Sequence, residues 1–374
     1  MAKSAPPCRA TGLPLKPKPP KNRSAGTTAS KRGVTIRDIA RLAEVSIKTV
    51  SRVMNGEPNV REDTRARVAA VMRDTHYRPN PSARNLARVR THNIALLYDN
   101  PSASYIVKLQ QGALEICREE GFNLLIRPCQ YRNPSLVQEI TALVLEGRIG
   151  GLILSPPLTD SPKLRATLEA MDLDFVQISP LPSLQRSPHV AFDDHRAAYD
   201  VTSYLIRLGH ERIALIKGHP DHGCTESRLA GYVAALQAHR VTVDPSLIAQ
   251  GSFSFESGLQ CGRLLLSASP RPSAIFACND DMAAGVLHIA HSLGIAVPGE
   301  LSVVGYDDTP LAQQVWPSLT TVRQPIQDMA RAAATCLIGK IRSRSHDTGN
   351  QAIADVTVDY TLIIRDSTGP ARQT

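Results

Sequence analysis

The sequence lacks the features that mark several classes of protein. Aromatic residues make up only 4% of its 374 residues, and no run approaches the roughly 18 consecutive apolar residues that a membrane helix requires. The N-terminus has no apolar segment followed by a small-residue cleavage site, so we expect no secretory signal. The seven cysteines form no CxxC pair, which argues against a disulfide scaffold or a zinc ribbon and indicates reduced thiols in the cytoplasm.

Motifs of nucleotide-binding and hydrolytic enzymes are also missing. There is no P-loop, no GxSxG and no GxGxxG. The segment GHPDHGC contains His219, Asp221, His222 and Cys224, but their spacing matches no metal or catalytic set, and a loop at the edge of a cleft explains it better. We therefore predict no enzymatic activity, no metal site and no cofactor.

Charge is distributed unevenly along the chain. Residues 1–91 hold 20 Lys and Arg against 6 Asp and Glu, a net charge of +14, whereas residues 92–374 carry a net charge of −5. A basic first quarter on a mildly acidic remainder indicates a polyanion-binding module attached to a globular body. A solvated basic tail does not account for the whole excess, because residues 34–91 keep 12 basic against 6 acidic residues.

Composition divides the chain into five parts. Residues 1–33 are rich in Pro, Lys, Ser and Thr and are predicted to form a disordered basic arm, since prolines make the alternative of an organelle transit peptide improbable. Residues 34–77 are predicted to form three short helices, and residues 78–91 a basic hinge with a brief helix. Residues 92–366 are predicted to form an α/β core, and residues 367–374 a tail.

In the predicted core, short apolar strands alternate with amphipathic helices. This pattern predicts parallel sheets in two doubly wound lobes, whose ligands bind in the cleft at the carboxyl ends of the strands. The chain is expected to pass between lobes near residues 193–199 and again at PSLTT, after Trp316. The predicted strands are 94–98, 123–128, 151–155, 175–179, 189–193, 212–218, 273–279 and 301–307.

The segment from Thr35 to Gly56 has the spacing of a helix-turn-helix. Thr35 and Ser46 are plausible helix N-caps, and the second helix is suited to the major groove of DNA. Arg52 can bind guanine O6 and N7 together, which a lysine cannot do, and Thr49 suits a phosphate contact. A small helical bundle with polar outer faces is the less favoured alternative. The predicted outer face of the second helix is Ile47, Lys48, Ser51, Arg52 and Asn55.

Several stretches resemble the lactose-repressor (LacI/GalR) family over all but the first 33 and last few residues. The resemblance implies a helix-turn-helix headpiece joined to a two-lobed body like that of periplasmic sugar-binding proteins. It also implies a repressor that binds a pseudo-palindromic operator in double-stranded DNA as a homodimer. The matching stretches are VTIRDIARLAEVSIKTVSRVMNG (34–56), TRARV (64–68), YRPNPSARNLA (77–87), LGHERIALI (208–216), SRLAGY (227–232), ACNDDMAAG (277–285), VPGELSVVGYDD (297–308) and PSLTTVRQP (317–325).

The resemblance implies roles for residues of the basic quarter. Three residues of the second helix and Asn59 fall where the family contacts DNA, and Leu86 falls where a leucine of each subunit wedges into the minor groove, as an apolar side chain on a short basic helix can do. Arg61 departs from the common Ser, which adds a phosphate contact or changes the preferred operator. The predicted DNA-binding set is Thr35, Ser46, Ile47, Lys48, Thr49, Ser51, Arg52, Asn55, Asn59, Arg61, Arg84 and Leu86.

The resemblance also implies an effector pocket. Arg228, Asn279 and Asp307 match effector-contacting positions, and Phe253 matches a ring that stacks on the effector. This chemistry suits sugar hydroxyl groups better than a purine. As an alternative, Asp194 and Asp307 could cap helices and Asn279 could stabilise a turn. The predicted effector-binding set is Ser102, Tyr105, Ser155, Asp194, Arg228, Phe253, Asn279, Asp307 and Gln324.

The sequence leaves open alternatives to a repressor that a sugar releases from DNA. The body could respond to a partner protein or to a nucleoside-type ligand, or the chain could be a plain cytoplasmic sugar-binding protein, which the headpiece disfavours. Dimerisation is inferred from the resemblance and from the apolar face of the helix at residues 106–117. The C-terminus has no leucine heptads, so no tetramer zipper is predicted. Effector binding is expected to move the lobes so that the paired hinges no longer meet in the minor groove.

Overall fold

The described part of the protein consists of two compact units. A computed structural model describes residues 36–54, 60–75, 92–181, 188–346 and 355–372. One unit lies within residues 36–75 and the other within residues 92–372. We call them the headpiece and the body, and describe each by itself.

The headpiece contains the three predicted helices, Ile36–Leu42 (α1), Ile47–Met54 (α2) and Glu62–Asp74 (α3). One apolar side chain from each helix reaches a common core, since Ile39, Val50 and Val68 are all fully buried. Helical spacing places these residues on inward faces and leaves the opposite face of α2 outside.

A tight turn joins α1 to α2. Glu44 adopts a left-handed conformation with φ of 52°, the amide of Val45 donates to the carbonyl of Ala40, and the amide of Glu44 donates to that of Arg41. This paired arrangement satisfies the last carbonyls of α1 and ends the helix. The hydroxyl of Ser46 then accepts from the amide of Thr49 at 3.1 Å, which confirms Ser46 as the cap of α2.

The body alternates strands and helices along most of its length. In chain order its elements are β1 (Asn93–Tyr98), α4 (Ala103–Glu120), β2 (Asn123–Pro128), α5 (Leu136–Glu146), β3 (Gly151–Leu154), α6 (Pro162–Ala170), β4 (Asp174–Ile178), β5 (His189–Ala191), α7 (Asp194–Arg207), β6 (Ile213–Lys217), α8 (Cys224–Ala238), β7 (Ile248–Gln250), α9 (Phe255–Leu266), β8 (Ala274–Ala277), α10 (Asp280–Ser292), β9 (Ser302–Tyr306), α11 (Leu311–Gln314), β10 (Thr320–Arg323), α12 (Ile326–His346), β11 (Val356–Thr357) and β12 (Thr361–Ile363). Each of the eight predicted strands corresponds to one of these strands within two residues.

The strands form two six-stranded sheets, one in each lobe. The first has the order β11-β5-β4-β3-β1-β2 and the second the order β12-β10-β9-β8-β6-β7. All pairings are parallel except that of β10 with β12. This confirms the α/β class and the two doubly wound lobes. The central strands are buried on both faces, which explains their apolar sequences.

The chain passes between the lobes three times: after β5, after β10 and between β11 and β12. The prediction of a crossover at PSLTT was wrong, because Thr320 and Thr321 lie in β10 of the second sheet and pair with β9. The crossover comes directly afterwards, where α12 returns to pack on β3, β4 and α4 of the first lobe. Because Thr320 and Thr321 are polar, this short buried strand has no apolar pattern in the sequence.

The apolar face of α4 is covered by the chain itself. Ile106, Leu109 and Ala113 are buried, and α12 packs against α4 so closely that a Cβ added to Gly112 would lie 2.2 Å from the carbonyl oxygen of Gln327. The use of this face as evidence for a dimer was therefore wrong. Periodicity identifies a buried face but does not identify what covers it.

Residues after 366 belong to the second lobe. Ser367 is fully buried, donates to the carbonyl of Val303 at 2.6 Å and accepts from the amide of Thr320 at 2.8 Å. The carbonyl of Gly369 contacts the His210 ring at 3.1 Å. The boundary predicted at residue 366 was thus too early, because small polar residues here are paired with buried backbone groups rather than with water.

Candidate effector cleft and DNA-recognition helix

The described part of the predicted DNA-binding set lies in α2, at its cap and directly before α3. Ile47 is an exposed apolar residue at the first position of α2, and Ser46 at its cap is also exposed. Thr49 and Arg52 are half-buried on the same helix, and Arg61 is exposed directly before α3. Lys48 and Ser51 lie in α2 by their backbone. Thr35, Asn55, Asn59, Arg84 and Leu86 lie outside the described residues.

Eight of the nine residues predicted to bind the effector line one cavity between the lobes of the body. They come from segments far apart in sequence and follow strands or begin helices at the carboxyl edges of both sheets, as the parallel topology requires. The cavity is small, with a volume of about 30 Å³. The eight are Ser102, Tyr105, Asp194, Arg228, Phe253, Asn279, Asp307 and Gln324.

Arg228 is held on three sides in the second lobe. Its Nε donates to Asp194 Oδ1 at 2.7 Å, its Nη1 donates to the carbonyl of Cys278 at 2.6 Å, and its guanidinium carbon lies 3.8 Å from the centroid of the Tyr306 ring. Tyr306 also donates to Asp194. Burial is the largest single effect and acts to lower the pKa of Arg228, but the acidic groups around it, Asp194 foremost, together raise that pKa well above its ordinary value, so the guanidinium stays charged. Asp194 thus does not cap α7; Asp193 does so by accepting from the amide of Arg196.

Asp307 lies at the end of β9 in an unusual backbone conformation. Its φ is 108°, a region that L-residues rarely adopt, and its carboxylate accepts from the amide of Gln324. Burial raises the pKa of Asp307 well above that of a free aspartate, and Arg228 only partly offsets the effect. From the first lobe, Lys108 donates to the carbonyls of Asp307 and Asp308. These bonds hold the strained backbone at Asp307 in place, so that its carboxylate lines the cavity.

Phe253 is also strained, with φ of +61°, and its ring is almost fully buried. A Cβ added to Gly218 would lie 1.9 Å from Cζ of this ring, so glycine is required there. Asn279 fixes the same segment: its side-chain amide donates to the Phe253 carbonyl at 2.8 Å, while its oxygen accepts from the amide of Met282. The predicted turn-stabilising role of Asn279 is therefore present as the cap of α10.

Ser155 differs from the other eight because it does not line the cavity. It is fully buried behind Pro156, which does line it. Ser155 Oγ, Thr159 Oγ1 and Gln177 Oε1 have no hydrogen-bond partner among the described residues. Gln177 donates to the carbonyl of Thr159 at 2.7 Å, and the amide of Thr159 donates to the carbonyl of Ser155 at 3.2 Å, so the three residues form one polar cluster in the first lobe. Groups of this kind are normally satisfied by an ordered water or by a ligand.

Five cavity residues are absent from the predicted set: Asn100, Pro156, Ser179, His222 and Cys224. His222 packs edge-on against Phe253, with ring centroids 5.4 Å apart. It belongs to the GHPDHGC segment, which was interpreted as a loop at the cleft edge. Among the described residues, no three metal-binding side chains lie close enough together to hold an ion. His222 lies between the family-like stretches 208–216 and 227–232 and belongs to neither, so the sequence marks it only as part of this loop.

Burial lowers the pKa of His222 to about 3, and the charges of His219 and Arg228 add to the effect. The folded-state pKa therefore lies below the unfolded value of about 6.5, so the unfolded chain takes up a proton first as the pH falls. Stability from a neutral His222 is fully present above pH 6.5 and is lost as the pH falls toward 3. The free energy of unfolding of the wild type should fall between pH 7 and pH 5. Replacing His222 by Gln should make this fall smaller by about 2 kcal/mol.

Urea titrations of the full chain at both pH values measure this difference. His291→Gln, at an exposed position in the last turn of α10, is the matched control and should leave the loss unchanged. Equal losses in the two variants would contradict a buried neutral ring at position 222.

Both units of the protein match known protein families. Residues 35–80 match the family described as bacterial regulatory proteins, lacI family, and residues 202–368 match the periplasmic binding protein-like domain. The chain is 33% identical over 338 residues to the HTH-type transcriptional regulator DegA of Bacillus subtilis (strain 168), covering 90% of this chain and 98% of that one. This chain belongs to the LacI family. Like its relatives it is a DNA-binding transcriptional regulator with an effector-binding domain.

Solved structures of this family cover nearly the whole chain. A lac repressor dimer bound to operator and the anti-inducer ONPF has a TM-score of 0.75 and 25% identity, covering 90% of this chain and all of that one. A complex of the transcriptional regulator CelR with cellobiose has a TM-score of 0.68 and 28% identity, covering 89% and 99% of the two chains. Within the described ranges, no helix of this LacI-family protein is both long and apolar enough to span a membrane.

Proposed function

We propose that this LacI-family protein is a cytoplasmic repressor that binds a pseudo-palindromic DNA operator as a homodimer. An uncharged sugar in the cavity releases it from the operator, and the protein acts by binding rather than by catalysis. The observation that carries the proposal is the convergence of Arg228, Asp307 and Phe253 on one cavity of a regulator. An arginine, a carboxylate and a ring suit a polyhydroxylated ligand.

The charges around the cavity favour a neutral ligand. Arg228 is already paired with Asp194 at 2.7 Å, so it offers donors without a net positive charge. Asp307 and Gln324 supply carboxylate and amide groups that can bond hydroxyl groups. A phosphorylated sugar would bring an anion into a site shielded from water whose arginine is already paired with Asp194, which is costly. The relative CelR was solved with cellobiose, a neutral sugar.

Exposed apolar side chains along one edge of each sheet support a dimer. Strand β2 is an edge strand whose Ile126 is exposed, and Val107 on α4 is 48% exposed. In the second lobe Phe255 and Leu264 on α9 are exposed near the edge strand β7. Exposed apolar side chains mark an association surface where they are contiguous, and the lac repressor relative was solved as a dimer on its operator.

Operator release by sugars is the direct test. An operator selected from a library of random duplexes would be labelled, and binding of the full chain followed by fluorescence anisotropy with cellobiose, ribose, galactosides, nucleosides and sugar phosphates. We expect one uncharged sugar to weaken operator binding by about 5–150-fold, the usual range of allosteric coupling. By reciprocity, the operator should weaken binding of that sugar by the same factor. If no sugar altered operator binding, the effector proposal would fail while the DNA-binding role would stand.

Arg52→Ala should lower discrimination between the selected operator and one with a changed guanine by about tenfold. The physical reason is the loss of a bidentate contact to one base pair. Competition anisotropy with the two duplexes measures the ratio. Arg73→Ala, at an exposed position in the last turn of α3, removes the same charge and should leave the ratio unchanged. A uniform loss on both duplexes in Arg52→Ala would assign Arg52 to phosphate contact instead.

A further inference from the structure

The loop of residues 218–223, which joins β6 to α8 in the second lobe, is bonded to the first lobe at two points. Arg132 of the first lobe donates twice to the carboxylate of Asp221, with Nε–Oδ2 at 2.6 Å and Nη2–Oδ1 at 3.0 Å. The amide of Gly223 donates to Oδ2 of Asp160 in the first lobe at 3.1 Å. We call Arg132, Asp160 and this loop the clasp.

Asp160 supplies a hydrogen-bond acceptor at the N-terminal end of α8. Gly223 is the N-cap residue of α8 and has no side chain, and its own amide, a free donor at the helix start, donates to a carboxylate from the other lobe. A negative charge at this end is also favoured by the helix dipole. The second oxygen of Asp160 accepts from the amide of Leu181 at 2.8 Å, so both oxygens of this buried side chain are bonded.

The contact at Gly223 is tight. A Cβ added there would lie 2.4 Å from Cγ of Leu181 and 2.9 Å from Oδ2 of Asp160. The two lobes therefore touch directly at the start of α8, and a larger residue would push them apart. The bonds of Asp160 and of Arg132 across this contact require the lobes to be closed.

The same loop lines the cavity. His222 is a cavity residue between the two bonded positions, Cys224 is the first residue of α8, and Arg228 lies one turn further along that helix. The hydroxyl of Thr225 bonds back to the carbonyl of His219 at 2.8 Å, which ties the loop to the helix. One short segment, whose residues are hydrogen-bonded to each other, therefore both lines the cavity and contacts the first lobe.

We propose that Asp160 is a positioning residue for Arg228, and that the clasp couples the state of the cavity to closure of the lobes. The proposal rests on the proposed function, in that lobe closure is the signal passed between effector and operator. Asp160 sets the start of α8 only when the first lobe is in place. A ligand that draws on Arg228 or His222 therefore changes the free energy of closure, and lobe movement changes the ligand site.

Hydrogen exchange in the full chain tests the clasp without any effector. In Asp160→Ala, amides at the start of α8 should exchange at least tenfold faster than in the wild type. Asp160→Asn, of nearly the same shape, should give an intermediate increase, which guards against misfolding of the alanine variant. Glu169→Ala, an exposed change on α6, is the matched control and should leave these amides unchanged. Unchanged exchange in both Asp160 variants would overturn the positioning role.

Exchanging the charges of Arg132 and Asp221 tests the second bond. Each single reversal, Arg132→Asp or Asp221→Arg, should speed exchange of the loop by about threefold, a modest effect because Arg132 is largely exposed. The double reversal should restore exchange to within about twofold of the wild type. Additive acceleration in the double variant would show that the pair does not act as a contact.

Adding operator DNA tests the coupling. Because coupling between sites is reciprocal, operator binding should change exchange at the start of α8 at least threefold in the wild type and have little effect in Asp160→Ala. No change in the wild type would overturn the coupling even if a sugar released the protein. Conversely, a wild type that responds to no sugar would refute the effector proposal, while these exchange measurements would still decide the clasp.

Discussion

Replacing Arg228 by Met should destabilise the folded body by about 3–5 kcal/mol. The guanidinium and the carboxylate of Asp194 are 4% and 9% exposed, so removing the cation leaves a buried acid whose remaining side-chain partner among the described residues is the hydroxyl of Tyr306. The variant also loses the bond to the Cys278 carbonyl and the stacking on Tyr306. Urea unfolding of the full chain at pH 7, followed by circular dichroism, measures the change.

Two further variants separate charge burial from lost packing. Arg228→Met combined with Asp194→Asn should recover most of the loss, because a neutral amide needs no cation. Arg196→Met breaks an exposed pair with Asp200 and should cost less than about 1 kcal/mol. A cost for Arg228→Met no larger than that for Arg196→Met would contradict the buried pair.

Replacing Gly218 by Ala should cost about 2–3 kcal/mol and distort the cavity. The added methyl group would overlap the ring of Phe253, and crowding of a packed core has costs of this size. The ring cannot retreat easily, since its backbone is held in a left-handed conformation and its carbonyl is bonded to Asn279. Thermal unfolding gives the stability, and operator release by the active sugar gives the functional loss.

Gly339→Ala is the matched control for this substitution. Nothing lies within 4 Å of a Cβ at Gly339 in α12, so alanine should stabilise the helix by about 0.5–1 kcal/mol. Phe253→Leu in the Gly218→Ala background should recover part of the loss by relieving the overlap. If Gly218→Ala were as stable as the wild type, the close contact between residue 218 and the ring would be refuted.

The positions of the core strands and of several site residues could be predicted from the sequence, because both follow from how parallel α/β sheets are built. Fully buried parallel strands are continuously apolar, and functional side chains follow their carboxyl ends. Asn279 comes directly after the segment containing β8, and Asp307 comes directly after β9. The strand ends therefore give candidates rather than the site itself: Ser155 follows β3 but does not line the cavity, and the family motifs are needed to select the residues that do.

What could not be predicted depends on partners that are distant in sequence. The apolar face of α4 is evident from spacing, but its cover, α12, begins more than 200 residues later. Strand β10 is polar, and β11 is only two residues long, so neither gives a periodic signal. Asp160 has an ordinary sequence context; its role depends on the helix start at Gly223 in the other lobe.

Because the chain passes between the lobes three times, both lobes are completed only late in synthesis. Neither lobe is a continuous segment: the first sheet needs β11, and the second needs β12 and Ser367. The headpiece, complete by residue 75, is made nearly 300 residues earlier, which at about 5–20 residues per second is roughly 15–60 s. A nascent chain thus has its recognition helix α2 well before it has any place to hold an effector.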